Sequence, residues 1–251
     1  MGIVRTDKWM EEANSSLDHQ IIEHLDLPDR SLLTDLHQNG MAIFNWNAIR
    51  TFNKMKQDKI WEQVESFFKK YRKEWAGPDV PVFLFPARSN LLWRGQKSGL
   101  AFKNMVFLFT PYELETADLE ALFVHEYHHA CRLHRLASSC NNTLLDTVVM
   151  EGLAEKAVEE YCGHDHLAPW ITRYSDDLLQ KLLSEFYQPN FKINNQDQEH
   201  RELLYGSRSI PRMAGYAIGY YIVDQYARKY KKKTRDMFAL TSEKFLSGLG
   251  E

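Results

Sequence analysis

Hydrophobic and polar residues follow two different periods along the chain. Apolar positions three and four apart are typical of amphipathic helices, and short apolar runs bounded by proline or glycine are typical of strands. Helical spacing predicts helices at 31–40, 58–75, 116–136, 143–163, 170–186, 213–230 and 234–246. Apolar runs predict strands within 80–86 and 99–111, the latter with a strand at 105–109, and the glycines of 93–99 predict a turn between the runs.

The order of these elements, helices then strands then helices, indicates an α+β protein with a mostly helical second half. We expect an N-terminal helical segment at 1–79, a small sheet with the following helix at 80–136, and a helical subdomain at 137–251. The three parts are expected to form one compact unit. A polar break at 137–142 and a polar loop at 188–200 interrupt the helical half.

Composition and charge argue against several classes of partner. The chain has 251 residues, of which 44% are hydrophobic and 26% charged, as is ordinary for a globular protein. Its formal net charge of -3 shows no basic excess that would favour nucleic acid or an anionic membrane. The sequence has no stretch of about 18 apolar residues that would span a membrane, and no apolar signal core at its start.

The three cysteines, Cys131, Cys140 and Cys162, are an odd number and form no C-x-x-C pair. They are typical of reduced thiols rather than of a disulfide framework or a cysteine zinc site. Together with the lack of an export signal, they predict a cytoplasmic protein. The sequence leaves the oligomeric state open.

One predicted helix carries an unusual group of titratable residues. The segment 121–136 reads ALFVHEYHHACRLHRL, a mainly apolar run that contains four histidines and a glutamate. His125 and His129 lie four residues apart, so on a helix they project from one face, where two imidazoles can bind one Zn²⁺. Glu126 follows His125 directly and can take a proton from a water without ligating the metal. His128 lies off this face and is expected not to bind.

A second predicted helix supplies a candidate third ligand. Glu151 lies 22 residues after His129, which leaves room for a turn and an antiparallel return. It follows the apolar residues TVVM, and a buried carboxylate needs a cation to offset its desolvation. The small residues Gly152 and Ala154 would allow close helix packing. Glu155, one turn later on the same face, could accept the second N–H of a ligating histidine.

The motifs HEYHH and EGLAE, with PRMAGYAIGYYIV at 211–223, carry a resemblance to known enzymes. The chain resembles the gluzincins, the thermolysin-like zinc metallopeptidases, and within them a bacterial family of predicted zinc-dependent proteases. The resemblance covers roughly 80–246. It implies a zincin-like fold, in which a small sheet packs on the metal-binding helix, and a peptide or protein substrate. It also implies that the strand at 104–109 borders the cleft and pairs with the substrate backbone.

The same resemblance assigns roles to individual residues. It implies that His125, His129 and Glu151 ligate Zn²⁺, that Glu126 is the general base, and that Glu155 supports a ligand. A zinc-dependent peptidase is therefore the expected function.

The group that would stabilise the oxyanion is not defined by spacing. Tyr216, in AGYAIGYY, is the first candidate, and Tyr220, His200 and Arg212 are further candidates. Each of these side chains can donate to the negative charge that develops on an attacked carbonyl. Each tyrosine could equally be a packed core residue.

Other functions fit part of the same pattern. One is a zinc-dependent hydrolase of non-peptide amides, and another is a non-catalytic metal-binding or interaction protein. A structural zinc site, however, normally has four protein ligands and has no use for Glu126. A di-iron carboxylate protein would need a second E-x-x-H motif, but Glu151 and Glu155 are followed at that spacing by Ala154 and Val158.

Overall fold

The computed structural model describes residues 2–12, 17–25, 31–88, 98–136 and 142–250. The chain forms two compact units, Met1–Ala130 and Cys131–Glu251. The predicted turn at 93–99 and the predicted break at 137–142 lie mainly outside the described residues, and Cys140 lies outside them. The three-part division of the chain at 79 and 136 stays a prediction.

The first unit contains helices that precede a small sheet and a long helix. Its elements in chain order are α1 (Thr6–Glu12), α2 (Leu17–Leu25), α3 (Ser31–Gln38), α4 (Trp46–Gln57), α5 (Ile60–Trp75), β1 (Val82–Pro86), β2 (Ser98–Ala101), β3 (Val106–Thr110) and most of α6 (Thr116–Arg135), whose last residues, from Cys131, belong to the second unit. The predicted helices at 31–40, 58–75 and 116–136 are confirmed. Helices α1, α2 and α4 were not predicted, because their apolar stripes are short and interrupted by polar residues.

The three strands form a sheet in the order β1-β3-β2 within the described residues. β1 pairs in parallel with β3, and β2 pairs antiparallel with β3, so that Ser98 lies opposite Phe109. The apolar run at 99–111 therefore contains two strands, because a turn closed by the Phe102 N–H and the Met105 carbonyl at 2.8 Å reverses the chain. Strands β1 and β3 are fully buried, whereas every residue of β2 is partly exposed.

The central position of β3 corrects one expectation. Both edges of β3 are occupied, by β1 and by β2, so the strand predicted at 104–109 has no backbone edge for a substrate. The parallel partner β1 comes from earlier in the chain, and such non-local pairing leaves no signal in the sequence of β3 itself. The exposed position in the sheet belongs to β2.

The first part of α6 is buried against α5. Phe123 stacks on Tyr127 with ring centroids 5.2 Å apart, and Phe68 and Trp75 of α5 contact Tyr127 at 5.4 Å and 5.8 Å. The Tyr127 hydroxyl donates to the carbonyl of Pro78 at 2.9 Å. Burying each ring stabilises the fold by about 1.5–3 kcal/mol, so this packing fixes the rotation of α6 about its axis.

The second unit is helical. Its α-helices are α7 (Leu144–Cys162), α8 (Asp176–Leu182), α9 (Gln198–Tyr205), α10 (Ala214–Tyr230) and α11 (Ser242–Phe245). The predicted helices at 143–163 and 213–230 are confirmed. α7 begins with a capping box, in which Thr143 and Asp146 each accept the other's backbone N–H, and ends at Gly163, whose φ is 100°.

Three predictions in this half are wrong in their bounds. The helix predicted at 170–186 begins only at Asp176, because the Ser175 hydroxyl caps it by accepting the N–H of Leu178. The loop predicted at 188–200 includes the start of α9. The helix predicted at 234–246 is broken into two 3₁₀ turns and the short α11, and the Thr234 hydroxyl fixes this segment by donating to Glu160 at 2.8 Å.

The observed architecture is of the predicted α+β class, mostly helical with a small sheet. In the part of the chain that the structure describes, every helix is too short or too polar to cross a membrane.

Candidate metal centre

His125 and His129 project from one face of α6. Their ring centroids lie 4.7 Å apart and their ring planes are nearly perpendicular, at 89°. His129 is buried and His125 is half-buried. The aromatic packing of Phe123 and Tyr127 occupies another face of the helix, so the two imidazoles are presented together.

Glu151, on α7, completes a group of three potential ligands. One ligand atom from each of His125, His129 and Glu151 lies within 4.8 Å of the other two. Within the described ranges, this is the only such group of histidine, cysteine, aspartate and glutamate side chains. The three residues that the sequence predicted as ligands are therefore brought together.

The donor set fits zinc. Two imidazole nitrogens and one carboxylate oxygen are common zinc ligands, and a site with three protein ligands keeps a position for a water or substrate. Tetrahedral ligands about 2.1 Å from a metal lie roughly 3.4 Å apart. The observed spread of the three ligand atoms, within 4.8 Å, is wider than this.

Glu126 is buried next to β2 and is not part of the ligand group. Its side chain is only 7% exposed. The side chain lies directly over Gly99, since a Cβ built on that glycine would be 2.5 Å from the Glu126 Cγ. The carboxylate is thus held away from bulk solvent on the same helix as the two histidines, which suits a general base.

His128 lies off the candidate metal-binding face that carries His125 and His129. It is fully buried, and its ring meets Trp75 edge to face with centroids 5.6 Å apart. Its place is in the aromatic core of the first unit.

Glu155 is buried, and one observed contact gives it a structural role. Its Oε2 accepts the backbone N–H of Ala168 at 3.1 Å. The carboxylate therefore holds the loop that follows α7. Its predicted support of a histidine ligand stays a prediction.

Tyr216 lies in the first turn of α10, within a cluster of aromatic residues. Its ring centroid is 5.8 Å from that of Trp170 and 6.2 Å from that of Tyr205. A hydrogen bond joins the hydroxyls of Tyr205 and Tyr216, and we call these two residues the tyrosine pair. Burial and then the negative charge of Glu151 raise the pKa of Tyr205, which places the pair within electrostatic reach of the candidate ligand.

Sequence reasoning missed Tyr205 and Trp170. Tyr205 is the last residue of α9, and the first turn of α9 is polar, so no apolar stripe indicates where this helix begins. Trp170 was predicted to be helical, but it lies in the loop before α8. The Trp170 indole N–H is buried and has no hydrogen-bond partner among the described residues.

The other candidates for oxyanion stabilisation are placed differently. Tyr220 hydrogen-bonds to Glu159, and burial together with this bond raises the pKa of Tyr220. The His200 Nε2 lies 3.0 Å from the hydroxyl of Thr147, one turn before Glu151. Arg212 is exposed, and its carbonyl accepts the hydroxyl of Tyr174.

Comparisons with known proteins identify a family whose description also names zinc. A model of the family described as "Predicted Zn-dependent protease (DUF2268)" matches residues 60–247. The chain is 35% identical over 260 aligned residues to the protein YjaZ of Bacillus subtilis (strain 168), and the match covers 99% of this chain and 100% of YjaZ. It is 24% identical over 149 residues to YjfC of the same organism, covering 56% of this chain and 50% of YjfC.

Both relatives are uncharacterized, so they add no activity of their own. The family description and the His/His/Glu group together support zinc as the metal. The extent of the family match and the full-length similarity to YjaZ show that the chain belongs to the family of predicted Zn-dependent proteases described as DUF2268.

Proposed function

We propose that this protein is a zinc-dependent peptidase in which His125, His129 and Glu151 are the ligands and Glu126 is the general base. The observation that carries the proposal is the placement of three ligand atoms within 4.8 Å of one another. The buried carboxylate of Glu126, next to His125 in the chain, adds the base that hydrolysis needs.

In the proposed mechanism the metal activates the water and the substrate, and Glu126 transfers the proton. Zinc, when bound, would acidify a water and polarise the substrate carbonyl. Glu126 accepts the proton of the attacking water and then delivers it to the leaving amine nitrogen. The small exposure of Glu126 keeps its carboxylate from being screened by solvent, which strengthens its electrostatic interactions.

The outer edge of β2 is our candidate for the substrate backbone. β2 is half-exposed, and within the described residues only β3 pairs with it. An extended peptide could add to this edge by backbone hydrogen bonds. Gly99 of β2 contacts Glu126, so a peptide on this edge would run beside the proposed base.

The proposal is tested with the purified zinc-loaded protein. We expect cleavage of quenched peptides of mixed sequence, loss of cleavage with a chelator, and recovery when zinc is added back. The zinc-loaded Glu126→Gln variant is the matched control for contaminating proteases.

Hydrolysis of small amides without peptide cleavage would replace the proposal with a non-peptidase amide hydrolase. Stoichiometric zinc binding with no hydrolysis of either substrate class would instead indicate a non-catalytic metal-binding protein.

A further inference from the structure

Gly99 occupies a position where any side chain would collide with Glu126. A Cβ built on Gly99 would lie 2.5 Å from the Glu126 Cγ and 2.6 Å from its Cδ. Contacts under 3.0 Å are essentially never made by real Cβ atoms. The end of the Glu126 side chain therefore fills the space that a side chain at position 99 would occupy.

Backbone conformation does not explain this glycine. Gly99 is absent from the residues with positive φ, so an L-amino acid could adopt its backbone angles. Glycine in a strand weakens it, because the residue has more conformational freedom to lose and no side chain to pack. A strand glycine with ordinary φ often marks a close approach by another group, and here the approaching group is a carboxylate.

The location of Gly99 links the strand to the proposed chemistry. It lies in β2 opposite Leu108 of β3, and Glu126 is 7% exposed beneath it. Ordinary van der Waals contact begins at 3.4 Å, so alanine at position 99 would have to move the carboxyl group by about 1 Å. Displacing a catalytic group by about 1 Å can lower a rate roughly 10²-fold.

We propose that Gly99 is a positioning residue for Glu126, and that the lack of a side chain at position 99 sets where the Glu126 carboxylate lies. The effect on hydrolysis rests on the proposed function. The contact itself does not, so the two can be tested separately.

The same glycine has a competing explanation. The Cβ would also lie 2.7 Å from the backbone carbonyl oxygen of Phe107, in the neighbouring strand. If this contact alone requires glycine, the cost of adding a methyl group is independent of the side chain at position 126. If Glu126 is responsible, removing its side chain relieves the cost.

A thermal double-mutant cycle separates these two explanations without any activity assay. We expect Gly99→Ala to lower the Tm of the wild-type protein by roughly 2–10 °C, as overpacking does in a protein of this size. In the Glu126→Ala background the same change should lower Tm by less than half as much. Gly248→Ala, whose methyl group would meet the Tyr226 backbone at 2.5 Å, is the control and should cost the same in both backgrounds.

Equal costs of Gly99→Ala in the two backgrounds would overturn the proposal. If Gly99→Ala does not fold, folding of the Gly99→Ala/Glu126→Ala variant supports the proposal, and failure of both variants overturns it. Failure of both would show that the strand itself requires glycine.

The kinetic arm measures whether the contact positions the base. In zinc-loaded protein, Gly99→Ala should lower kcat about 10–10²-fold with zinc content and KM near wild type. Added to Glu126→Gln, it should lower kcat no further. An unchanged kcat in a well-folded Gly99→Ala variant would overturn the positioning role. An inactive wild type would count against the proposed function, and the thermal cycle alone would then decide whether Gly99 sets the position of Glu126.

Discussion

Gly152 of α7 and Gly219 of α10 lie backbone to backbone. A Cβ on Gly152 would overlap the carbonyl group of Gly219 and lie 2.7 Å from the amide nitrogen of Tyr220. A Cβ on Gly219 would overlap the carbonyl group of Val148 in α7. Because Glu151 directly precedes Gly152, this crossing sets the position of the candidate ligand relative to α10.

The first prediction concerns this crossing. Gly219→Ala should separate α7 from α10 and destabilise the protein by roughly 1–3 kcal/mol, since neither backbone can yield as a flexible side chain would. It should also weaken zinc binding, because Glu151 moves with α7. Thermal unfolding and a competitive zinc titration measure the two effects. Gly250→Ala is the control, since its methyl group would meet nothing within 4 Å, and it should change neither quantity.

The second prediction concerns metal content. The purified protein should bind about one zinc per chain, and His125→Ala or His129→Ala should abolish binding because only two strong ligands remain. Glu151→Gln should weaken binding without abolishing it, since an amide oxygen coordinates without a negative charge. Elemental analysis after gel filtration provides the measurement. The exposed His134 lies on the same helix, so His134→Ala should keep full zinc content, and unchanged zinc in both ligand variants would exclude this site.

The third prediction concerns the base. Glu126→Gln should keep the fold and the zinc but lower kcat about 10²–10⁴-fold, because the amide cannot accept a proton. The side chains are nearly equal in size, so the packing against Gly99 is preserved. Steady-state kinetics on zinc-loaded protein measures the change. Full activity in this variant would show that another group takes the proton.

The features of the site that lie within one helix could be predicted from the sequence. The contacts between different helices and strands could be predicted only in part. His125 and His129 lie on the same helix, so their spacing does not depend on which elements pack against that helix. Glu151 was predicted as a ligand because a carboxylate in an apolar helix needs a partner, and the structure groups it with the two histidines. The contact between Gly99 and Glu126 forms because β2 lies beside β3. The order of the strands also depends on the pairing of β3 with β1, a strand that comes earlier in the chain than β2 and β3.

The same distinction explains the missed aromatic residues. Tyr205 belongs to a helix whose first turn is polar, so no apolar stripe marks where α9 begins. The hydrogen bond of Tyr205 to Tyr216 and its electrostatic interaction with Glu151 arise from tertiary packing. They cannot be predicted from the types of these residues or from their spacing in the sequence. The helix predicted across Trp170 failed for a local reason, because Ser175 is a strong N-cap and starts α8 six residues later.

The fourth prediction concerns the pH dependence of stability. Burial lowers the pKa of His200 below its ordinary value of 6.5, and Asp197 only partly opposes this effect. Below pH 6.5, His200 is therefore protonated more fully in the unfolded chain than in the folded protein. The free energy of unfolding consequently falls as the pH is lowered through this range. His200→Gln removes the titrating group and can keep a hydrogen bond to Thr147.

The measurement is Tm between pH 7.5 and pH 5. The fall in Tm should be smaller in His200→Gln than in the wild type. His19→Gln is the matched control, because the His19 side chain is 77% exposed and should leave the pH dependence unchanged. Identical profiles for the wild type and His200→Gln would show that His200 titrates alike in the folded and unfolded states.

The last prediction concerns the tyrosine pair. If the Tyr216 hydroxyl donates to the developing oxyanion, Tyr216→Phe should lower kcat roughly 10–10³-fold with little change in zinc content. Tyr205 is hydrogen-bonded to Tyr216, so Tyr205→Phe should lower kcat as well. Because the hydroxyls act as a unit, the double variant should be no slower than the slower single variant.

Tyr221→Phe supplies the control for removing a hydroxyl from α10. The Tyr221 hydroxyl accepts a hydrogen bond from the Gln180 side chain at 2.9 Å, so its loss should cost about 1 kcal/mol of stability and leave kcat unchanged. Measuring Tm and kcat for all four variants then separates the two roles of Tyr216. A variant that resembles Tyr221→Phe, with lowered Tm and unchanged kcat, would make Tyr216 a core residue. A lowered kcat at nearly constant Tm would place its hydroxyl at the reacting carbonyl.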